Sequence, residues 1–407
     1  MSIRRKWLWG LLAAVVFTGL LGRYLDRVPK RHYCDFRVYH HASVRMAAGE
    51  DIYVRDTMAV TPFKYSPFFA FCFIPLGLLP IKIAAGLFFA LNFILTIVLF
   101  RLAADIAEVR AAAARAGALP LLYGLAVLFS ARFIFLVWDS GQVNILMCVL
   151  VLAGLMLVSK GKDMPAGACL AAAILIKYVP AVFLPYLLLQ KKFKAVAWTL
   201  AFLVIGLVLP SMVVGVQKDI SYLGSWLPFI TQTSLDKLSY IDIKNQSLFS
   251  MVIRSFSASG MGVNIMHLSF EQGKILGIAI SALLYALVLV KGKRQPGQAG
   301  LDAALLFCFM ALFNPNGWEL NFVALGLPYI LLIGYLIEVK WKDSFVTMSV
   351  IMAAVLSSVF ARDVLGKVME NDSNLCSNVT IATLLLIAAL FQLKFLKIKS
   401  INGKEVV

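Results

Sequence analysis

The chain has 407 residues, of which 61% are hydrophobic, and a mean hydropathy of +0.86. Only about half of the residues of a soluble globular domain are apolar, so this composition excludes a soluble fold. The net charge of +17, from 38 Lys and Arg against 21 Asp and Glu, does not indicate a nucleic-acid-binding protein, because the basic residues cluster beside apolar segments as the positive-inside rule describes. Part of the excess suits anionic lipid headgroups or a phosphate-bearing substrate.

Apolar segments approach the length of roughly twenty residues that a transmembrane helix needs, whereas the strands of a barrel would be shorter and alternating. The sequence therefore predicts an all-α, polytopic membrane protein. We expect one multi-spanning domain over residues 1–407, with about 11–13 transmembrane or half-membrane helices. The predicted spans after the first are residues 82–100, 119–137, 145–158, 195–214, 275–290, 301–313, 322–337, 345–360 and 379–393.

The N-terminus resembles a signal peptide, because three basic residues precede an apolar segment over residues 7–21. No small-x-small cleavage site follows, so we predict a retained first helix with its N-terminus inside. The basic loops then place both termini in the cytoplasm, and residues 23–67 and 216–272 form outward loops. We expect an integral protein of a bacterial plasma membrane with an extracytoplasmic site.

Two apolar segments do not fit simple crossings. Residues 68–79, bounded by Pro67 and Pro80, are too few to span a bilayer. Residues 166–189 contain Lys177 and Pro180, and their two basic flanks belong on the same side of the membrane. This pattern predicts two half-helices that meet near Lys177, a broken geometry that is tolerated where protein or a water-filled cavity surrounds the backbone.

The first outward loop contains Asp35 at the start of a predicted interfacial helix. Residues 36–48 place Phe36, Tyr39, Ser43 and Met46 on one side, and Gly49 is suited to end the helix. One interpretation is that Asp35 only caps this helix, because aspartate is a favoured N-cap. The other is that its carboxylate acts as a general base at the membrane surface.

Lys177 lies inside an apolar segment, where an ionisable side chain is costly and by default indicates function. The alternative is that its ammonium group snorkels to a lipid headgroup. In the functional interpretation, Lys177 neutralises a lipid phosphate or steadies Asp139 across a cavity.

Three further polar segments fall in predicted outward turns. Gln142 and Asn144 offer amide groups of the kind that bind sugar hydroxyls, although turn and capping chemistry explains this segment equally well. Arg254, which follows Asn245 and Gln246, is a candidate phosphate ligand because guanidinium binds phosphate oxygens bidentately. Trp318 is either an interfacial anchor or a platform for a sugar ring.

Cysteines and histidines indicate no metal site, because their spacing matches no ligand pattern. Cys34 and Cys376 both fall in predicted outward loops, so a disulfide between them is possible. The sequence has no phosphate-cradling glycine loop, which argues against a nucleotide donor.

The order of these motifs resembles glycosyltransferase family 87, the polyprenyl-phosphate-dependent mannosyltransferases of the GT-C type. The resemblance covers about residues 30–320 and is carried by Asp-Phe-x-Val-Tyr at 35–39, Gly-x-Asp-x-Tyr at 49–53, Tyr-x-Pro-x-Phe-Ala at 65–70, Gly-Gln-Val-Asn at 141–144, Lys-x-x-Pro at 177–180 and Asn-Gln-Ser at 245–247. The chain departs from the family at residues 314–321, where both histidines of a Ser-Pro-x-Ser-Trp-x-His-His motif are missing.

The resemblance implies an inverting sugar transfer, in which Asp35 is the base and polyprenyl phosphate is the leaving group. The implied partners are a polyprenyl-phosphate sugar donor, a lipid or glycan acceptor and membrane lipids, with no cofactor and no nucleic acid. Cationic side chains can stabilise the leaving phosphate, so the scheme requires no metal. The phosphate-binding candidates are Lys64, Lys177 and Arg254, and the sugar- or acceptor-binding candidates are Tyr39, Tyr65, Asp139, Gln142, Asn144, Asn245, Gln246, Trp318 and Asn321.

Two other functions remain open from the residues. A transporter or flippase of lipid-linked sugars would use the same basic cavity without needing Asp35 as a base. An assembly protein would use the polar loops to bind a partner. The absence of a convincing internal repeat argues mildly against a secondary transporter.

Overall fold

The computed structural model describes residues 17–26, 35–54, 62–233, 237–257, 265–290 and 297–396. Within these ranges the regular structure is helical, and the β contacts are two isolated bridges, Asn245–Trp318 and Ser257–Leu268. The predicted all-α membrane fold is therefore confirmed. Most of the predicted first span lies outside the described residues, which begin within a helix, α1, at residues 17–26.

Two short helices follow α1. Helix α2 (Asp35–Ala47) packs against α3 (Pro67–Gly77). All four side chains of the predicted inner face of α2, from Phe36 to Met46, are buried. Gly49 lies just beyond the helix at a φ of 68°, a left-handed conformation that glycine adopts without a Cβ penalty. The bounds of the two helices thus lie within one or two residues of the predicted ranges 36–48 and 68–79.

Among the residues that the structure describes, six helical segments are long and apolar enough to cross a membrane. Their bounds are Ile81–Ile106 (α4), Leu119–Ser140 (α6), Phe193–Val214 (α10, Phe193–Val208, with α11, Ser211–Val214), Phe270–Leu289 (α15), Glu319–Glu338 (a 3₁₀ segment with α17, Gly326–Glu338) and Asn378–Phe395 (α20, Asn378–Phe391, with a π-helical end). The short helix α5 (Arg110–Arg115) connects α4 to α6. A bent pair is a seventh span if its two parts are taken together. Ser344–Val359 begins with α18 (Ser344–Ala354), and it meets Val364–Leu375, the main part of α19 (Arg362–Leu375), at 109°.

Shorter apolar helices fill the space between these spans. The predicted spans 145–158 and 301–313 occur as α7 (Asn144–Ser159) and α16 (Gln298–Leu312), of 16 and 15 residues. The predicted break at Lys177 is confirmed, because α8 (Asp163–Ile176) ends there and a 3₁₀ turn (Val179–Val182) leads into α9 (Phe183–Leu189).

In its described residues, the long loop between the fourth and fifth predicted spans after the first contains three helices. They are α12 (Val216–Thr233), α13 (Lys237–Ile241) and α14 (Leu248–Phe256). Tyr222 of α12 donates a hydrogen bond to the carbonyl oxygen of Glu50, so this loop contacts the first polar loop. Polar segments that are far apart in the sequence therefore meet at one end of the bundle.

Most buried apolar side chains belong to a large core and a smaller one, and a third, minor cluster contains Tyr240, Phe249 and Ile253. The large core joins α4, α6, α7, α16, α17 and α20, and the smaller one lies beneath α2 and α3. Trp138 and Leu150 pack against both. Outward-facing residues of the spans are also apolar, such as Val204, which is 63% exposed, as expected where the surrounding solvent is lipid. The candidate site lies where the two cores meet.

Candidate functional site

Helix α2 supplies the first two polar side chains of the site. Asp35 is its first residue and Tyr39 lies one turn later, so both project from the same side of the helix. The Tyr39 ring is fully buried and packs edge-on against Tyr65 and Phe69, at centroid distances of 4.9 Å. These aromatic contacts hold α2, and hence Asp35, against the loop that precedes α3.

Gln142 joins two tyrosines to Asp35. Its Oε1 accepts hydrogen bonds from the hydroxyl groups of Tyr39 at 2.9 Å and Tyr65 at 3.2 Å. The two hydroxyl oxygens are themselves 2.7 Å apart. Gln142 also hydrogen-bonds the Asp35 carboxyl group. Since its amide oxygen is occupied by hydroxyl donors, its amide nitrogen is the group that donates to Asp35.

Gln142 is placed by a sharp turn at the end of α6. Gly141 has a φ of 66°, and a Cβ there would lie 2.5 Å from Tyr24 Oη and 2.7 Å from the Phe36 Cβ. Only glycine combines this left-handed conformation with such close approach. The turn thus brings Gln142 next to the first turn of α2.

Asp35 is partly exposed, yet its pKa is raised from the ordinary value of 3.8. Burial of the carboxyl group is the largest cause. The ammonium of Lys177, the hydrogen bond from Gln142 and the charge of Lys64 all lower the pKa, but their sum is smaller than the effect of burial. The carboxylate is therefore more basic than an exposed aspartate, as a general base requires.

Lys177 enters the same cluster from the break between two helices. Its backbone is extended, with φ −144° and ψ 132°, so α8 stops and the side chain turns inward. Nζ donates to Asn144 Oδ1 at 2.5 Å and to Asn321 Oδ1 at 3.3 Å, and it lies 5.9 Å from the centre of the Tyr65 ring. Lys177 thus bonds to neutral amides, whereas the Asp139 carboxylate lies 3.8 Å from Arg23.

Neighbouring hydrogen bonds hold these groups in position. Ser66 donates to the carbonyl oxygen of Leu175 at 2.5 Å, which ties the loop containing Tyr65 to the last turn of α8. Asn144 Nδ2 donates to the carbonyl oxygen of Leu320 at 2.9 Å. The site therefore joins the loop before α3, the start of α7, the end of α8 and the segment before α17. A carboxylate and an ammonium group within one polar cluster can remove a proton and stabilise an anion, respectively.

The amino-acid sequence matches the model of a known protein family. The model of glycosyltransferase family 87 matches residues 63–315, more than half of the chain. The chain belongs to glycosyltransferase family 87. The matched region includes Tyr65, Gln142, Asn144 and Lys177, and it begins after Asp35 and ends before Trp318.

One curated relative adds information on this family 87 protein. It is a polyprenol-phosphate-mannose-dependent alpha-(1-2)-phosphatidylinositol mannoside mannosyltransferase of Mycolicibacterium smegmatis. The two sequences are 29% identical over 211 residues, which cover 48% of this chain and 46% of the relative. The match thus spans about half of the relative's length.

The structure brings together most of the residues singled out in the sequence. The cluster contains Asp35, Tyr39, Tyr65, Gln142, Asn144, Lys177 and Asn321. Lys64 is exposed and acts on Asp35 through its charge. Asp139 and Trp318 lie beside the cluster and line a cavity of about 1040 Å³.

Three other predicted site residues, Arg254, Asn245 and Gln246, are buried and hydrogen-bond segments that are distant in the sequence. Arg254 is 1% exposed and donates to the carbonyl oxygens of Asp242 and Asn245, at 2.8 Å each, and to Ser377 Oγ at 2.7 Å. Asn245 Nδ2 donates to the carbonyl oxygen of Pro315, and Gln246 Nε2 donates to that of Asn374. These side chains hold the long loop in place and are not part of the polar cluster.

The sequence reasoning missed a charged group in the wall of the cavity. Arg132 lies within the span Leu119–Ser140, and its guanidinium contacts Glu319 at 2.7 Å and Glu370 at 3.2 Å. The sequence does contain a signal for this contact: an arginine within an apolar segment needs a partner of opposite charge. The possible disulfide partner Cys34 lies outside the described residues, and Cys376 is a free, exposed cysteine.

Proposed function

We propose that this family 87 protein is an integral-membrane glycosyltransferase that moves a sugar from a polyprenyl-phosphate donor to an extracytoplasmic glycolipid or glycan acceptor. Mannose is the first sugar to test, because the relative from M. smegmatis is named as polyprenol-phosphate-mannose-dependent. The observation that supports the proposal is the polar cluster, in which Asp35 bonds to Gln142, Lys177 bonds to Asn144 and Asn321, and the two charges interact electrostatically.

The reaction is a single displacement with inversion at the anomeric carbon. Asp35 takes the proton from an acceptor hydroxyl group as that oxygen bonds to the anomeric carbon. The bond from this carbon to the phosphate oxygen breaks, and polyprenyl phosphate leaves with the electron pair. Lys177, assisted by Lys64, stabilises the negative charge that develops on the phosphate.

Burial of Asp35 favours this role. A carboxylate with a raised pKa is a stronger base than an exposed carboxylate, and its pKa lies closer to the pH at which the reaction takes place. Gln142 orients the carboxylate through its amide nitrogen, and the hydroxyl groups of Tyr39 and Tyr65 fix the Gln142 amide in turn. The Tyr65 ring also lies 5.9 Å from Lys177 Nζ, so the same tyrosine contacts Lys177 and the glutamine that orients Asp35.

The test is the Asp35→Asn variant, assayed with radiolabelled polyprenyl-phosphate sugars and membrane glycolipid acceptors. We expect it to fold and bind the donor, but to lose at least about a hundredfold in transfer rate, because general-base catalysis contributes about 10²–10⁴-fold. Glu50→Gln changes an exposed carboxylate of the same loop to an amide; this matched control should transfer sugar normally. Near-normal transfer by Asp35→Asn would remove Asp35 from the mechanism and favour a transporter of lipid-linked sugars.

A further inference from the structure

A second candidate binding site lies beside the polar cluster, in the cavity of about 1040 Å³. Its lining comes mainly from α1, α6, α19 and the segment before α17. Two turns border both the cavity and the cluster. Asp139 lines the cavity three residues before Gln142, and Leu320 lines it directly before Asn321. A molecule in the cavity would therefore have one end close to Asp35 and Lys177.

One wall of the cavity is apolar at the depth of the membrane. Leu128 and Phe135 of the span α6 line the cavity and are 60% and 48% exposed. Val364 of α19, which is 61% exposed, adds to this surface. Exposed apolar side chains on a spanning helix are suited to contact acyl chains.

The charges of the cavity are unevenly paired. Each of its three carboxylates contacts an arginine: Asp139 lies 3.8 Å from Arg23, and Glu319 and Glu370 both contact Arg132. Lys244 and Arg362 also line the cavity, and neither has an ion-pair partner in the part of the chain that the structure describes. The unpaired charge of the cavity is thus positive and fits an anionic group.

Trp318 provides a surface for a sugar between these charges and the cluster. Its indole ring is 38% exposed and lines the cavity. The backbone of Trp318 is fixed by a bridge to Asn245, and the carbonyl oxygen of Trp318 accepts from the backbone N–H of Asn321 at 2.8 Å. An exposed, rigidly held aromatic ring next to a polar cluster is suited to stack on a sugar ring.

We infer that this cavity binds the acceptor, and that the acceptor is a glycolipid with an anionic, phosphate-bearing headgroup. The acceptor role rests on the proposed function. The phosphate contacts Lys244 and Arg362, the acyl chains lie along α6 and α19, and the sugar passes Trp318 towards Asp35. The donor phosphate occupies the separate position at Lys177.

The binding test uses full-length protein in detergent and three probes, measured by native mass spectrometry. The probes are phosphatidylglycerol, zwitterionic phosphatidylcholine and glycerol 3-phosphate, which has the anionic headgroup without acyl chains. We expect the double variant Lys244→Gln, Arg362→Gln to bind phosphatidylglycerol about tenfold more weakly than the wild type, since two charge-assisted contacts are lost. The double variant Lys274→Gln, Lys367→Gln makes the same change in charge at residues outside the cavity, and should bind phosphatidylglycerol normally.

The outcomes separate the parts of the inference. Equal losses in the two double variants, or no loss in either, would overturn the site. Glycerol 3-phosphate binding as tightly as phosphatidylglycerol would overturn the lipid assignment, and phosphatidylcholine binding as tightly would overturn the requirement for an anion. Melting temperatures of both double variants should equal that of the wild type, because the four substituted residues are at least partly exposed.

The acceptor role is tested by kinetics with the glycolipid that supports transfer in the Asp35 assay. We expect Lys244→Gln, Arg362→Gln to raise the KM for this acceptor while kcat and donor affinity stay unchanged. An unchanged acceptor KM would refute the acceptor role even if transfer itself is demonstrated. If no glycolipid supports transfer, the proposed function and the acceptor role fail together, and the binding experiment still shows whether the cavity is an anionic-lipid site.

Discussion

Asp35 and Lys177 are separated by 142 positions in the chain, yet their side-chain charges interact electrostatically. The Lys177 ammonium lowers the Asp35 pKa, against the larger effect of burial. The two residues are also linked structurally, because Tyr65 both donates to Gln142 and lies beneath Lys177. The properties of either side chain therefore depend on the tertiary structure around it.

The raised pKa of Asp35 predicts a pH dependence for transfer. The base must be deprotonated, so activity should fall as the pH drops through a pKa above the ordinary aspartate value of about 4. Lys177→Met should move this midpoint to higher pH, because a charge that lowers the Asp35 pKa is lost. Lys64→Met should move it in the same direction but less, since Lys64 has the smallest effect. The measurement is kcat/KM against pH for the three proteins, and a downward shift in Lys177→Met would contradict the assignment.

Lys177→Met should also weaken donor binding by about tenfold to a hundredfold, because a charged hydrogen bond to phosphate is lost. A fluorescent or radiolabelled polyprenyl-phosphate sugar would measure the affinity directly. Lys367→Met, which removes an exposed lysine of α19 outside the cluster, is the control for the loss of positive charge. Unchanged donor affinity in Lys177→Met would refute the phosphate role of Lys177.

At the scale of the helices, the C-terminal ends of α6 and α8 determine the geometry of the candidate site. Helix α6 ends at Gly141, and the turn places Gln142 next to Asp35. Helix α8 ends at Lys177, where the extended backbone directs the ammonium group towards Asn144 and Asn321. Gln142 is the second residue after α6 and Lys177 is the first after α8. At such positions, backbone groups released from the helix require other partners.

Gly141→Ala tests the importance of the first of these ends. Alanine would cost roughly 1–2 kcal/mol for its left-handed backbone, and its Cβ would also overlap Tyr24 and Phe36. Gly117→Ala is a matched control, because Gly117 has a φ of 65° but no atom within 4 Å of a built Cβ. We expect Gly141→Ala to lower the melting temperature more than Gly117→Ala and to reduce transfer, which Gly117→Ala should leave intact. Equal effects of the two substitutions would show that crowding at Gly141 is unimportant.

At the scale of the whole molecule, a buried charge network connects distant parts of the bundle. Arg132 of α6 contacts Glu319 before α17 and Glu370 of α19, and it donates to the carbonyl oxygen of Ser357 at 3.1 Å. The Arg132 side chain is only 5% exposed. This contact fixes α19 against the bundle and closes one side of the cavity.

Arg132→Met should destabilise the fold by about 3–5 kcal/mol, because two poorly hydrated carboxylates lose their shared partner. Arg110→Met provides the comparison, since the Arg110–Asp105 pair is 40% and 31% exposed, and such pairs contribute about 0–1 kcal/mol. Thermal unfolding in detergent should show a large loss for Arg132→Met and a small one for Arg110→Met. Similar melting temperatures would show that the buried network does not stabilise the bundle.

The sequence alone determined the membrane fold, the positions of α2 and α3 to within one or two residues, and the break at Lys177, because apolar length, helix-ending residues and a charge in hydrocarbon are local signals. The ordered motifs also indicated the family. Only the tertiary structure decided that Lys177 meets Asn144 and Asn321, that Arg254 and Gln246 hold a loop in place, and that Arg132 borders the cavity. The physical reason is that a polar side chain in a membrane protein must find a partner, and several partners distant in sequence satisfy that need equally well until the packing of the helices selects one.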